Sequence, residues 1–166
     1  DDQEKGFLEL LHRLKDMPPD EAHRYFRENE HVWISFHHQA NARWDNWHND
    51  VIPWRIAERF IQKLVAQNEN REFYITDMGC GCAALARSLQ NLPRTTVTNV
   101  DHVRDRQLPA NIAVHVCNMA RTPIQANSQS VVIFSMSLSW GPKAAASYLQ
   151  EAFRICKPDG ILVIIE

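Results

Sequence analysis

The stretch Glu72–Ala86 (EFYITDMGCGCAALA) constrains this chain more than any other. The short apolar run Phe73–Ile75 reads as a buried strand, and the segment ends on Asp77. A turn containing Gly79 and Gly81 comes next, and then the helix-forming run Ala83-Ala84-Leu85-Ala86. Strand, glycine turn and helix, in that order, form the first unit of a nucleotide-binding α/β fold. Glycine permits positive φ and lets the backbone approach a ligand closely. The helix start offers unpaired N–H groups to the same ligand.

The chain after Ala86 repeats the strand pattern. Thr96–Val100 is β-branched and runs into Asp101; Ile112–Cys117 runs into Asn118-Met119. Val131–Met136 is nearly continuous in apolar residues, as expected of a strand covered on both faces. A helix is expected over Ala83–Gln90. A second spans Ala144–Ile155, with Tyr148, Leu149, Ala152 and Phe153 inward, after a break at Gly141-Pro142. Lys157-Pro158-Asp159-Gly160 reads as a turn, and Ile161–Ile165 as a fifth strand ending on Glu166. Strands alternating with helices or loops predict a parallel sheet with right-handed crossovers. A bare apolar fifth strand would be an exposed edge, so further chain or a partner is expected to cover it.

The first 70 residues read as a helical lid, and residues 71–166 as the Rossmann-like core of one compact domain. Phe7, Leu8, Leu10, Leu11 and Leu14 recur at helical spacing before Pro18-Pro19. Asp20 is placed to cap a second helix, with Ala22, Tyr25 and Phe26 on its buried face. Val32–Phe60 holds Trp33, Trp44, Trp47 and Trp54, with His37, His38 and His48 among them. Aromatics of such a cap pack on the sheet, and one histidine can reach into a ligand pocket or pack in the core against Trp47. Pro53 can open a helix to Val65 with Ile56, Phe60, Ile61 and Leu64 on one face.

A formal net charge of -2 gives no global pull towards nucleic acid, although a local basic patch remains compatible with it. No apolar run approaches the roughly 20 residues of a membrane span. The acidic start Asp1-Asp2-Gln3-Glu4 is not a signal peptide, and a first residue other than Met reads as an excerpt of a longer protein. Cys80, Cys82, Cys117 and Cys156 read as reduced thiols in an intracellular protein. Cys80-x-Cys82 lacks a second well-spaced pair, so no metal site is expected.

The glycine turn chooses between two ligand classes. A nicotinamide dinucleotide usually meets G-x-G-x-x-G, whose third glycine is missing here. Asp77, two residues before Gly79, would repel a pyrophosphate but suits an ammonium and a sulfonium, which points to S-adenosylmethionine. Asp101, twenty residues after Gly81, can accept from both ribose hydroxyls. Asn118-Met119 ends the third strand where adenine would lie, with the Asn118 amide oxygen as acceptor for its exocyclic amine. These residues fall at successive strand ends, where ligands of open α/β sheets bind.

The D-x-G-x-G turn, the acid ending the next strand and KPDG before the fifth strand resemble class I S-adenosylmethionine-dependent methyltransferases. Ser35-Phe36-His37-His38, Trp47, Pro53, Cys117–Pro123, Ser137-Leu138 and Glu151–Arg154 more narrowly resemble the ribosomal RNA-processing protein 8 family. That resemblance implies methylation of an adenine ring nitrogen in large-subunit ribosomal RNA, within the RNA or a pre-ribosomal particle. It also implies a nucleolar location, with a mitochondrial one as alternative, and a part in chromatin silencing. By position it assigns His37, Gly79, Asp101, Asn118, Met119 and Ser135 to the cofactor, beside Asp77 and Gly81. Trp140 is a candidate for stacking on the target base, and Arg43, Arg121 and Lys143 for phosphate contacts. Asn118 stands where the family usually has Asp, and Ser137–Lys143 departs from its loop. A methyltransferase fold kept as a scaffold in a ribosome-assembly particle is the alternative reading.

Overall fold

The computed structural model describes residues 2–44, 46–139 and 141–166. Five parallel strands form one sheet: β1 (Phe73–Met78), β2 (Thr95–Asp101), β3 (Val114–Val116), β4 (Gln129–Ser135) and β5 (Cys156–Ile165). Their order is β3-β2-β1-β4-β5. The chain therefore returns past β1 to reach β4. That reversal opens a crevice at the carboxyl ends of β1 and β4, where a doubly wound sheet binds its ligand.

The helices are α1 (Asp2–Lys15), α2 (Pro19–Glu28), α3 (Glu30–Trp44), α4 (Pro53–Ala66), α5 (Ala84–Leu89) and α6 (Pro142–Ile155), with a short 3₁₀ turn over Asn49–Val51. α4 and α5 cover one face of the sheet: Ala57, Ile61, Val65, Leu85 and Leu89 pack on Phe73, Ile75, Val131 and Ile133. α6 covers the other, bringing Ala144, Tyr148, Ala152 and Ile155 against Met78, Val100, Val132 and Phe134. Both faces of β4 are thus buried, which explains its unbroken apolar sequence. α1, α2 and α3 form a separate cluster in which Leu14, Met17, Phe26, Trp33 and Phe36 pack on Val103 after β2.

Several local expectations change. Asp20 does not cap α2: Pro18 occupies the cap position and Asp20 lies in the first turn. Pro142 opens α6, because a first-turn residue needs no N–H partner. The KPDG turn is absorbed into β5 as an irregularity, with Gln129 opposite Cys156 and Val131 opposite Ile161. Phe153 faces outward at 84% exposure, since the buried stripe of α6 runs through Ala144, Tyr148, Ala152 and Ile155. Phe60 and Leu8 are also exposed; Ala57, Ile61 and Val65 carry the buried face of α4. Of the lid tryptophans, Trp33 is fully buried and Trp47 is exposed. β5 ends the sheet with Leu162 and Ile164 exposed.

Candidate cofactor cleft

α3 forms one wall of the crevice. Its lining includes Trp33 and His37 of the lid, Asp77, Gly79 and Gly81 of the first strand and turn, and Asp101, Met119 and Ser135 at later strand ends. Seven residues proposed for the cofactor from sequence (His37, Asp77, Gly79, Gly81, Asp101, Met119 and Ser135) therefore meet at one cavity.

The turn is tightly sculpted. Gly79 and Gly81 have φ of 78° and 53°, and Ala83 also takes positive φ, at 49°. A Cβ on Gly79 would lie 2.6 Å from Ser137 Cβ, and one on Gly81 would lie 2.8 Å from His37 Nδ1. Both positions thus require glycine for conformation and for space. His37 packs on the turn with Trp33 and Phe36 beside it, at ring distances of 4.1 and 5.2 Å. Its core partner is Trp33, in place of the expected Trp47. Burial holds its imidazole down at about 3, so His37 is neutral.

Two acids define the electrostatics. Asp77 is 4% exposed, and its Oδ1 has no hydrogen-bond partner. Burial, and then the nearby Asp101, push its carboxyl up to about 7. A buried carboxylate with an orphaned oxygen is costly alone and well matched to an incoming cation. Asp101 is the opposite case. Its Oδ2 accepts from Gly81 N at 2.8 Å; its Oδ1 accepts from Trp33 Nε1 at 2.8 Å and His102 N at 2.6 Å. Burial raises the Asp101 carboxyl and those donors hold it back, leaving it at about 6.

Asn118 departs from its expected role. It is absent from the cavity lining; its Nδ2 donates to Asp20 Oδ1 at 2.7 Å, and its Oδ1 accepts from Ala120 N at 2.8 Å. The amide therefore latches α2 to the loop after β3. Arg121 pairs with the same Asp20 carboxylate. Arg43 and Lys143 are exposed and do not line the cavity. Trp140 lies outside the described residues.

Sequence reasoning missed three contributors. Trp33 was visible only as one of four lid tryptophans. His102 is buried beside Asp101, shares a 3.1 Å hydrogen bond with His23 and is held at about 3 by burial. Glu166 accepts from the backbone N–H groups of Ser137, Leu138 and Ser139 at 3.1, 2.8 and 3.1 Å, fixing the loop after β4. An acid at the end of an apolar strand was its only signal.

Comparison with known proteins now bears on this arrangement. A family model described as "Hypothetical methyltransferase" matches residues 4–166. The chain belongs to that methyltransferase family. Its relatives include ribosomal RNA-processing protein 8 of Arabidopsis thaliana, 27% identical over 96% of this chain and 50% of that protein. They also include the 25S rRNA (adenine(645)-N(1))-methyltransferase of Schizosaccharomyces pombe, 27% identical over 97% of this chain and 49% of that protein. The resemblance read from the motifs is to this same group. The chain spans about half the length of the curated relatives it matches. Among solved structures, 1,6-didemethyltoxoflavin-N1-methyltransferase of Burkholderia thailandensis, with S-adenosylhomocysteine bound, superposes with a TM-score of 0.57. It is 19% identical and covers 86% of this chain and 62% of that one, a likeness of fold. The cyclase SpnF superposes at 0.50 with 22% identity, covering 70% of this chain and 48% of that one, so the methyltransferase family's α/β fold does not by itself fix a reaction.

Proposed function

We propose that this methyltransferase-family chain carries the cofactor-binding region of an S-adenosylmethionine-dependent enzyme that methylates an adenine ring nitrogen of large-subunit ribosomal RNA. The observation that carries the reading is the orphaned, buried Asp77 oxygen in a cavity walled by a glycine turn. The names of the relatives supply the substrate class. Asp77 would hold the cofactor's ammonium, and Gly79 and Gly81 would let the chain run close beside its amino-acid end. Asp101 would hold the ribose hydroxyls, with His37, Met119 and Ser135 packing around the ligand. When bound, S-adenosylmethionine supplies a methyl group on a sulfonium. The target nitrogen brings its own lone pair, so the residues' task is to hold, orient and exclude water, and no protein nucleophile is needed. Arg43 precedes the lining residue Trp44, and Lys143 follows Gly141 by two; with Trp140 and Arg121 they are the proposed RNA contacts.

On this reading the Trp33 side chain shifts when cofactor enters. The cavity is about 100 Å³, below the roughly 300–1,000 Å³ of small-molecule sites. Trp33 already occupies an acceptor site on Asp101 that a ribose would use. We therefore assign the segment before α4 as a lid whose indole leaves Asp101 when cofactor enters. The same contact favours a second reading, a scaffold in a ribosome-assembly particle in which Trp33 has replaced the ribose. Partners under the first reading are ribosomal RNA or a pre-ribosomal particle, in the nucleolus; chromatin-silencing proteins stand on the motif resemblance alone, and the relatives' names lend the mitochondrial alternative no support.

The test is methyl transfer from labelled S-adenosylmethionine to a large-subunit ribosomal RNA fragment, with nucleoside mass spectrometry of the product. Methylated adenosine is the expected product. A folded protein that binds the cofactor and labels no adenosine would favour the scaffold.

A further inference from the structure

Beside the cleft, three chain segments bring together His38 of α3, Cys82 of the glycine turn and Asp105 of the loop after β2. One ligand atom from each lies within 4.8 Å of the other two. We propose that His38, Cys82 and Asp105 form a zinc site that staples the lid helix to the glycine turn. The arrangement has the parts such a site needs. His38 Nε2 lies 3.4 Å from Asp105 Oδ2. The other Asp105 oxygen is fixed by Gln107 N at 2.9 Å, which orients the carboxylate from behind. Asp105 and Asn41 are polar neighbours that act on the Cys82 thiol. Thiolate, carboxylate and neutral imidazole neutralise a divalent ion, a charge balance suited to a half-buried position. This mixed sulfur, nitrogen and oxygen set suits tetrahedral zinc, with water in fourth place.

The geometry explains why no such site is visible in the order of the cysteines. Cys80 is buried with its Sγ against Gly81 O at 3.8 Å and takes no part. The ligands instead come from positions 38, 82 and 105, which only the fold unites. His38 follows His37, and Cys82 follows Gly81, so an ion there would hold α3 down on the turn it covers. Binding would release the Cys82 thiol proton, one per ion.

Cobalt(II), with zinc competition afterwards, is the direct probe. The purified chain is titrated with metal alone at constant pH, in parallel with Cys82→Ser and with His38→Gln, whose half-exposed side chain can change without disturbing the core. Expected are a single-ion end point and a thiolate-to-cobalt charge-transfer band that zinc abolishes. The band should vanish in Cys82→Ser, and affinity should fall about tenfold or more in His38→Gln. Zinc should raise the melting temperature of the parent protein by more than that of either variant. A parent protein without the band, or one whose band and affinity are unchanged in His38→Gln, would overturn the site.

Discussion

Asp77 is the residue that sets the character of the cleft. Its folded carboxyl titrates at about 7, so between about pH 4 and 6 the folded state holds a proton that the unfolded chain has lost. Stability from this group is therefore present at low pH and lost as pH rises towards 7. His37 and His102, both at about 3, act with the opposite sign: below about 6.5 the unfolded chain takes up protons that the folded state refuses. Asp77→Asn removes the first effect and leaves the second. Its stability should rise with pH about 1.4 kcal/mol per unit more steeply than the parent's between pH 4.5 and 6. Urea unfolding at several pH values measures this, and parallel curves would mean that Asp77 is ionised throughout. Gly81→Ala is the steric counterpart: it meets the His37 ring and forces an L-residue to a φ of 53°. The expected loss is about 1 kcal/mol or more of stability, read in denaturant melts, together with loss of cofactor binding.

At the scale of elements, α2 and α3 are tied to the sheet's loops by a few specific contacts, and these can be cut singly. Asn118→Asp would set a carboxylate against Asp20 Oδ1, now 2.7 Å from the amide. It should cost about 1–3 kcal/mol and raise amide exchange in α2 while leaving the strands protected. Trp33→Phe keeps the buried ring and deletes the donor to Asp101. It should cost about 1 kcal/mol of stability and tighten S-adenosylmethionine binding, as seen by calorimetry, because one acceptor site on Asp101 is released. The strands, α4 and α6 were legible from the sequence because each buries a periodic or continuous apolar pattern. α3 was legible only as an aromatic-rich cap: its tryptophans and histidines face several environments, and Trp33 gains its place from Asp101, a partner 68 positions away. The Asn118 contact was not legible for the same reason, since its amide donates to Asp20, 98 positions earlier.

At the scale of the molecule, the five-stranded parallel sheet and its order place the cleft, and its lining residues Asp77, Asp101, Met119 and Ser135 were legible because they sit at or just beyond strand ends. The seating of α3 beside the cleft was not, because it depends on side-chain contacts between distant segments. Among the described residues no helix is long and apolar enough to cross a membrane. Binding of S-adenosylmethionine in the cleft through Asp77 is the proposal on which the functional reading rests. Calorimetric titration of S-adenosylmethionine at pH 8 into the parent protein and Asp77→Asn tests it most directly. Loss of a charge-assisted hydrogen bond worth about 1.5–3 kcal/mol predicts at least tenfold weaker binding in a variant that is no less stable. Equal affinity in both proteins, or no binding by the folded parent, would contradict it.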